Sequence, residues 1–388
     1  MEKEVKILIT TEFYLPFRCG VTSAVLAERK ALGEDGDEVR VLTIGSNRKS
    51  YYDAENGVWY IAGTMRQFYK DSYASLKLDD PILREVMLWH PDIVHSQSEF
   101  FSFRFASRIA SRLSVPLVHT CHTDFVSYTD YFTKHHRAWN RAASKVVPFL
   151  IRKADRVICS TDKIYSLISS YKIKQPVDRI MVGVDLEIFK RRLTPLPRHD
   201  MRSSLGFDDG DIVFVTVSRL SREKNIDEVL SLFSKVREKY SFVKLLFVGD
   251  GEERGHLEED VKRTGLGDSV VFTGLIDPEE IWRYYQAGDI YIGASLSETQ
   301  CLSYIEAMAS SLPILVRYDS ILPSYLVSGV NGFSYNSVNE FLAVAELLLS
   351  SPEKRREIGE AASLSSERFS LPIFASALRE SLRRALGK

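Results

Sequence analysis

Residues 289–309 read DIYIGASLSETQCLSYIEAMA. The apolar run Asp289–Ala294 is typical of a buried parallel strand, and the residues after it predict a short loop and then a helix that ends before Pro313. The helix therefore begins at the carboxyl end of a strand, where open α/β sheets bind ligands. Free amides at a helix start suit a phosphate, and ionised carboxylates accept hydrogen bonds from hydroxyl groups. With Glu298 and Glu306 across the turn, the stretch predicts a site for a sugar carried on a phosphate.

The composition is that of an ordinary soluble globular protein that is long enough for two domains. The chain has 388 residues, of which 45% are hydrophobic and 27% charged. It has no uncharged apolar run of membrane-spanning length, and its acidic start does not resemble a signal peptide, so we expect a cytoplasmic protein. The spacing of the four cysteines suggests neither disulfides nor a structural zinc site.

The positive charge is concentrated in the middle of the chain. Residues 101–200 hold 18 basic and 8 acidic side chains, whereas the regions on either side are net acidic. A basic middle in a nearly neutral protein suggests an anionic surface as partner. The segment 128–153 mixes aromatic and cationic residues at helical spacing, which fits a helix on an anionic membrane. The alternative is a solvated helix with its apolar stripe in the core. Nucleic acid is disfavoured, since no known binding module is present.

Strand and helix patterns alternate along the chain, and this order predicts doubly wound α/β domains. The proline- and arginine-containing stretch Lys190–Arg198 interrupts the alternation and suggests a connection between domains. We therefore expect a first domain over residues 1–190 and a second over 200–369, with a C-terminal helix over about 370–388 that packs back on the first. The predicted strands are Val5–Thr10, Glu38–Ile44, Asp92–His95, Pro116–Thr120, Arg156–Cys159, Ile212–Val217, Val243–Val248, Val270–Thr273, Ile290–Gly293 and Ile314–Val316.

A cationic loop follows the first strand of the second domain. Arg219 and Lys224 in this loop are expected at the same edge of the sheet as the turn with Glu298. Two cations there suit a diphosphate and offset the charge that grows on it as a leaving group. A solvated basic loop is the alternative for the cations. For Glu306 the alternative is an interaction with the helix dipole alone. For Glu298 the alternative is an ordinary acid in a surface loop. The cationic loop and the glutamate turn are expected at the same edge of the sheet, and this favours a ligand-binding role over these alternatives.

Three further positions are candidates for ligand contact. His122 follows a first-domain strand and can donate a hydrogen bond to a sugar hydroxyl or phosphate, although a lone histidine is more often structural. Gly20 precedes the first helix and lets a ligand approach the backbone, but the three-glycine dinucleotide fingerprint is absent. Gly249, after a second-domain strand, forms either a tight turn or a ligand contact. No metal-ligand spacing accompanies His122.

These motifs resemble those of family 4 retaining glycosyltransferases, whose GT-B fold has two facing Rossmann-like doubly wound α/β domains with an interdomain cleft. The segment Leu312–Phe333 is similar to bacterial enzymes that glucosylate diacylglycerol. The match runs through most of the chain and includes Gly20-Val21, Pro91-Asp92-Ile93-Val94-His95, His122-Thr123, Gly183-Val184-Asp185, Ser218-Arg219-Leu220, Glu223-Lys224, Gly249-Asp250-Gly251 and the pair Glu298 and Glu306.

The resemblance implies a retaining transfer of glucose from UDP-glucose to a lipid acceptor, without a metal or other cofactor, at the inner face of the plasma membrane. Arg219 and Lys224 would bind the donor diphosphate, Glu306 the ribose and Glu298 the transferred sugar. His122 would line the donor-sugar side from the first domain, which would also bind the acceptor. The remaining implied donor-site positions are Gly20 near the phosphates, Gly249, Gln300, Cys301 and Leu302.

The sequence departs from the family pattern at Cys301, where glycine is usual, at Val182, where asparagine is common, and at Asp37, where histidine is usual. A side chain at position 301 narrows the site or shifts the choice of donor. Alternatives are a transferase with another acceptor, a sugar-nucleotide epimerase and a non-catalytic sugar-nucleotide-binding protein. The missing glycine fingerprint disfavours an NAD dehydrogenase.

Overall fold

The structure is a computed structural model that describes residues 4–34, 36–66, 73–124 and 136–387, without the side chains of Arg66 and of residues 136–143. It divides into two compact units. The first comprises residues 1–183 and 371–388, and the second comprises residues 184–370.

The first unit is built on a largely parallel sheet. Its strand order is β10-β9-β8-β7-β1-β2-β4-β3, in which only β3 runs antiparallel to its neighbour. A further pair, β5 and β6, forms a small separate ribbon. The strands are β1 Lys6–Thr10, β2 Glu38–Gly45, β3 Tyr51–Asp53, β4 Val58–Ala62, β5 Met65–Arg66, β6 Tyr73–Ala74, β7 Ile93–Ser96, β8 Leu117–Cys121, β9 Arg156–Cys159 and β10 Val177–Arg179.

Helices cover both faces of this sheet, which explains why its central strands are continuously apolar. One face packs against helices between successive strands: α2 Ile82–Trp89, α3 Phe101–Leu113, α4 His136–Ile151 and α5 Asp162–Ser170. The other face packs against α1 Gly20–Glu34 and the C-terminal helix Leu371–Ala385. Arg379 of the C-terminal helix pairs with Asp37 at 3.0 Å between the side-chain Nη2 and Oδ2 atoms.

The second unit has an entirely parallel sheet in the order β13-β12-β11-β14-β15-β16, the order of a Rossmann-like domain. Its strands are β11 Ile212–Val217, β12 Val243–Val248, β13 Val270–Phe272, β14 Ile290–Gly293, β15 Ile314–Arg317 and β16 Phe333–Tyr335. Its helices are α6 Leu186–Phe189, α7 Pro195–Ser204, α8 Ile226–Lys239, α9 Arg254–Arg263, α10 Ile281–Ala287, α11 Leu302–Ala309, α12 Val338–Ser350 and α13 Pro352–Ser366, with 3-10 turns at Arg222–Lys224, Leu322–Ser324 and Glu367–Phe369.

The predicted doubly wound α/β class is confirmed, and each predicted strand has a counterpart within one or two residues at either end. The stretch Lys190–Arg198 is not the division between the units. It lies inside the second unit, which begins at Val184, and Pro195 already begins α7. Proline is well tolerated at the first helical position, so this proline marks a helix start and not a connection.

Candidate active site

The two loops that carry the predicted second-unit site are neighbours in the fold. Strand β11 pairs in parallel with β14, with Phe214 opposite Ile290 and Val215 opposite Tyr291. The strand order reverses between these two strands, so their carboxyl ends flank the point where doubly wound sheets bind ligands. Arg219 and Lys224 follow β11, and Glu298 follows β14.

Lys224 and Glu298 form a largely buried ion pair across these two loops. The Lys224 Nζ atom lies 2.5 Å from Glu298 Oε1, and the side chains are 24% and 9% exposed. The same carboxylate oxygen accepts a 2.7 Å hydrogen bond from the Ser295 hydroxyl. Burial acts to lower the pKa of Lys224, but the charge and hydrogen bond of Glu298, together with Cys301 and Glu223, raise that pKa above its usual value. The ammonium group therefore stays charged, and it has three N–H donors with which to reach a further anion.

Glu223 joins the cationic loop to the glutamate loop. Its buried carboxylate accepts a 2.6 Å hydrogen bond from the guanidinium of Arg219. Its backbone carbonyl accepts a hydrogen bond from the Leu296 amide at 3.0 Å and lies 3.2 Å from the hydroxyl oxygen of Ser295. Burial acts to raise the pKa of the Glu223 carboxyl, but Arg219 and local hydrogen bonds hold it below its ordinary value. We did not predict this role of Glu223, although its four-residue spacing from Arg219 is a signal for such a pair.

Helix α11 begins at the centre of this cluster. Cys301 is its N-cap residue, and the structure shows no capping hydrogen bond to the Cys301 side chain. The first amides of a helix, here including that of Leu302, have no acceptor within the helix and suit an anion. The Cys301 side chain is buried, and its Sγ atom lies 3.3 Å from the Ser303 hydroxyl. Burial raises the pKa of this thiol, so the sulfur is neutral. Gln300 is partly exposed beside it.

Glu306 lies farther along α11 and contacts a different neighbour. One of its carboxylate oxygens accepts a 2.7 Å hydrogen bond from the hydroxyl of Tyr285 on α10. Burial raises the pKa of the Glu306 carboxyl to about 7, although the hydrogen bond from Tyr285 opposes the shift. The carboxyl group is therefore divided between its charged and neutral forms near neutral pH.

The glycine at position 249 has a packing explanation. A Cβ atom added to Gly249 would lie 2.0 Å from the carbonyl oxygen of Ser218, and one added to Gly251 would lie 2.1 Å from that of Leu220. Gly249 also has a φ of 134°, which side chains rarely tolerate. The loop after β12 therefore rests directly on the backbone of the cationic loop. This close approach by itself accounts for glycine at both positions.

Gly20 and His122 belong to the first unit. Gly20 is the first residue of α1, and no described atom lies within 4 Å of where its Cβ would stand, so packing gives no reason for a glycine there. His122 follows β8 and is partly buried, with its Nε2 atom 2.5 Å from the side-chain oxygen of Gln97. Burial, together with the nearby His119 and His95, lowers the pKa of His122 to about 3. His119 lies fully buried in the sheet layer, as expected from strand alternation.

The predicted membrane segment 128–153 is only partly described. Its residues up to 135, and the side chains of 136–143, lie outside the described residues. In the described remainder of α4, Val146 is 43% exposed and Phe149 is 60% exposed. Lys145 and Lys153 are exposed on the same helix or just after it, and the Lys153 ammonium lies 5.0 Å from the centroid of the Phe149 ring. Apolar and cationic groups therefore share one solvent-facing side.

Two family models match most of the chain. The family described as "Glycosyl transferases group 1" matches residues 197–364, and "Glycosyltransferase Family 4" matches residues 19–188. The chain is 30% identical over 351 residues to alpha-monoglucosyldiacylglycerol synthase of Streptococcus pneumoniae. The aligned region is 90% of this chain and 79% of that protein. The chain belongs to glycosyltransferase family 4.

Two further comparisons extend the likeness of this glycosyltransferase over its full length. Alpha-monoglucosyldiacylglycerol synthase of Acholeplasma laidlawii is 27% identical over 380 residues, which is 96% of this chain and 95% of that protein. A solved structure of HepE from Anabaena, in complex with UDP and glucose, is 19% identical with a TM-score of 0.75 and covers 98% of this chain and 100% of that one. At this identity the structure shows the fold alone.

The predicted family, GT-B fold class and enzyme class are thereby confirmed: the protein is a glycosyltransferase that transfers a hexose. By their names, the two synthases of Streptococcus pneumoniae and Acholeplasma laidlawii make alpha-monoglucosyldiacylglycerol. Within the described ranges, no helix has both the length and the hydropathy that are needed to cross a bilayer.

Proposed function

We propose that this glycosyltransferase moves glucose from UDP-glucose to a membrane lipid such as diacylglycerol, with retention of the anomeric configuration. The observation that carries the proposal is the cluster at the carboxyl ends of β11 and β14, where cations, helix amides and carboxylates meet. The two synthases of alpha-monoglucosyldiacylglycerol, which align over 90% and 96% of the chain, support the choice of sugar and lipid.

In the proposed donor complex, Arg219 and Lys224 bind the diphosphate together with the backbone amides at the start of α11. A cation that is fixed before the reaction stabilises the charge that develops on the leaving phosphate more effectively than solvent does. Lys224 is held by Glu298 and Arg219 by Glu223, so neither cation has to be reorganised. We propose that these groups replace a divalent metal.

The carboxylates would orient the hydroxyl groups of the donor. We propose that Glu298 accepts hydrogen bonds from the transferred sugar and Glu306 from the ribose, since an ionised carboxylate only accepts. Gly249, Gln300 and Leu302 would contribute backbone surface around the donor. At Cys301 the backbone would come closest to the donor, so the sulfur of Cys301 would lie near the donor. The Cys301 side chain is buried, and close packing restricts its orientation.

The proposed chemistry needs no side-chain nucleophile. The bond from the anomeric carbon to the phosphate oxygen breaks while the acceptor hydroxyl attacks from the same face. The leaving phosphate oxygen takes the acceptor proton. The protein then contributes mainly by holding the two substrates in the reactive geometry, a contribution of up to about 7–11 kcal/mol in well-oriented systems. His122 as a contact of the donor sugar stays a prediction.

We further propose that α4 binds an anionic membrane, which would place the enzyme at the inner face of the plasma membrane. Val146 and Phe149 supply exposed apolar area, and Lys145 and Lys153 supply positive charge beside it. A helix of this type lies in the plane of the membrane interface. Its affinity for the membrane depends on the apolar area that it buries and on its attraction to anionic lipids. Each basic residue near such a surface contributes about 1 kcal/mol.

A donor and acceptor panel tests the function. The purified chain is given UDP-glucose, UDP-galactose, UDP-GlcNAc or GDP-mannose with diacylglycerol in anionic micelles, and the product anomer is read by NMR. We expect an α-glucosyl lipid from UDP-glucose. Transfer from another donor only, a β-anomer, or turnover only with a non-lipid acceptor would each overturn the corresponding part of the proposal. Conversion of the donor without any acceptor would indicate an epimerase.

A vesicle assay tests the membrane contact. Phe149→Glu should weaken binding to anionic vesicles, because it removes apolar area and adds a repelled charge. Leu364→Glu is the matched control, since Leu364 is also strongly exposed but lies in the second unit. Wild-type binding should weaken as salt is raised. Equal binding to neutral vesicles, or equal effects of the two substitutions, would contradict the assignment.

A further inference from the structure

A buried polar network connects helix α1 to the histidine after β8. The side chains of Glu28, His95 and Gln97 are each no more than 2% exposed. Glu28 Oε1 lies 2.6 Å from His95 Nδ1, and Glu28 Oε2 lies 2.5 Å from Gln97 Nε2. On its other side, His95 Nε2 lies 2.7 Å from the Thr120 hydroxyl. The amide oxygen of Gln97 lies 2.5 Å from His122 Nε2. The network thus ends on a predicted site residue.

The direction of the Gln97 amide is fixed by Glu28. An ionised carboxylate only accepts hydrogen bonds, so the atom of Gln97 that faces it must be the donating nitrogen. A flipped amide would bring the oxygen of Gln97 to 2.5 Å from the carboxylate oxygen of Glu28, and two acceptors at that distance repel each other. The amide oxygen therefore faces His122.

An amide oxygen also only accepts, and this requirement decides the state of the ring. At 2.5 Å from Gln97, the Nε2 atom of His122 must carry a proton. We propose that Glu28 and Gln97 are positioning residues that hold His122 as the tautomer with its proton on Nε2. Which ring nitrogen is protonated is set here by the hydrogen bond that the protein supplies, as in other oriented histidines.

The consequence concerns the kind of group that His122 can serve. Burial, His119 and His95 lower the pKa of His122 to about 3, so the ring is neutral at physiological pH. A neutral ring with its proton on Nε2 offers only an acceptor at Nδ1. A sugar hydroxyl can donate to such an atom, whereas an ionised phosphate oxygen cannot. The sequence left both partners open; where a donor group contacts this ring at Nδ1, the network favours the hydroxyl. Only this consequence, and not the tautomer, rests on the proposed function.

NMR of the ring nitrogens tests the proposal on the whole chain without any substrate. The protein is labelled with ¹⁵N-histidine, and the His122 signals are assigned from their loss in His122→Asn. At pH 7 we expect a protonated Nε2 with a slowly exchanging proton, and an unprotonated Nδ1. An Nδ1-protonated ring or a doubly protonated ring in the wild type would overturn the proposal, whatever the substrate assays give.

Substitutions then test the two positioning residues. Gln97→Met keeps the size of the side chain but removes the acceptor, so the protected Nε2 proton should be lost. The matched control is Gln286→Met, since Gln286 is also buried and its side-chain amide donates a hydrogen bond to the backbone carbonyl of Ser310 in the second unit. It should leave the His122 signals unchanged. Glu28→Gln should weaken the protected signal, because a neutral amide no longer forces the direction of Gln97. Unchanged His122 signals in Gln97→Met or in Glu28→Gln would refute the role of that residue.

Discussion

The role of Lys224 can be tested by Lys224→Met, which keeps the length and apolar bulk of the side chain but removes its charge. If the ammonium stabilises the leaving diphosphate, kcat should fall by about 10²–10³, the loss found when one preorganised donor is removed. This corresponds to about 2.7–4 kcal/mol of transition-state stabilisation.

The same substitution should also affect stability, and this second effect has to be separated from the first. Glu298 is 9% exposed and would keep only the Ser295 hydroxyl of the two partners described above. Leaving one member of a buried ion pair without its partner costs about 3–5 kcal/mol. In a unit of this size each kcal/mol shifts Tm by about 2–4 °C, so the variant should melt about 6–20 °C lower.

The assay compares initial rates with saturating donor at a temperature well below the melting transition of the variant. Lys239→Met is the matched control, because Lys239 also pairs with a glutamate in the second unit, Glu346 at 2.8 Å, but both side chains are more than half exposed. It should alter kcat little and stability by less than about 1 kcal/mol. Near-normal turnover in a folded Lys224→Met variant would refute the assigned role, even if its Tm is lowered.

Three further outcomes are expected. Because burial raises the pKa of the Glu306 carboxyl to about 7, donor binding should weaken from pH 8 to pH 6, and Glu306→Gln should remove this dependence. A carboxyl group with a raised pKa destabilises the fold once it is ionised. Glu306→Gln should therefore raise Tm relative to the wild type more at pH 8 than at pH 5. An equal Tm difference at the two pH values would contradict the raised pKa of Glu306. Gly20→Ala should leave Tm nearly unchanged, since a Cβ atom at this position meets open space. It should weaken donor binding if the donor phosphates approach the backbone of Gly20. Unchanged donor binding would show that Gly20 is not part of the site. Chelation with EDTA should leave turnover unchanged, and activity that is lost and restored by a divalent cation would show that Arg219 and Lys224 are insufficient.

Much of the fold follows from local sequence. A strand that is covered on both faces must be apolar throughout, as Ile212–Val217 is, and the helix patterns between such strands predict a parallel sheet. The same reasoning placed Arg219, Lys224 and Glu298 at one sheet edge, because parallel strands present all their carboxyl ends on the same side. The family motifs then narrowed the chemistry to sugar transfer.

The hydrogen-bond partners of the site residues could not be predicted from local sequence patterns. Tyr285 reaches Glu306 from another helix, and Gln97 reaches His122 from a neighbouring strand end, 25 residues away in sequence. Such contacts depend on which strands are adjacent and on how far each helix extends. Periodicity reports which face of an element is buried but not which element covers that face. The division between the units was misplaced for a related reason, because a proline-rich stretch is compatible with either a connection or a helix start.

By itself the sequence determined the alternation of strands and helices, the two parallel sheets and the residues at their carboxyl ends, since all of these follow from local hydrophobic pattern and chain direction. Only the tertiary structure decided which charges are paired, which carboxyl has a pKa near 7 and which nitrogen of His122 carries the proton. Those properties depend on burial and on atoms that come from distant parts of the chain. They arise when the sheet brings β11 beside β14 and β7 beside β8.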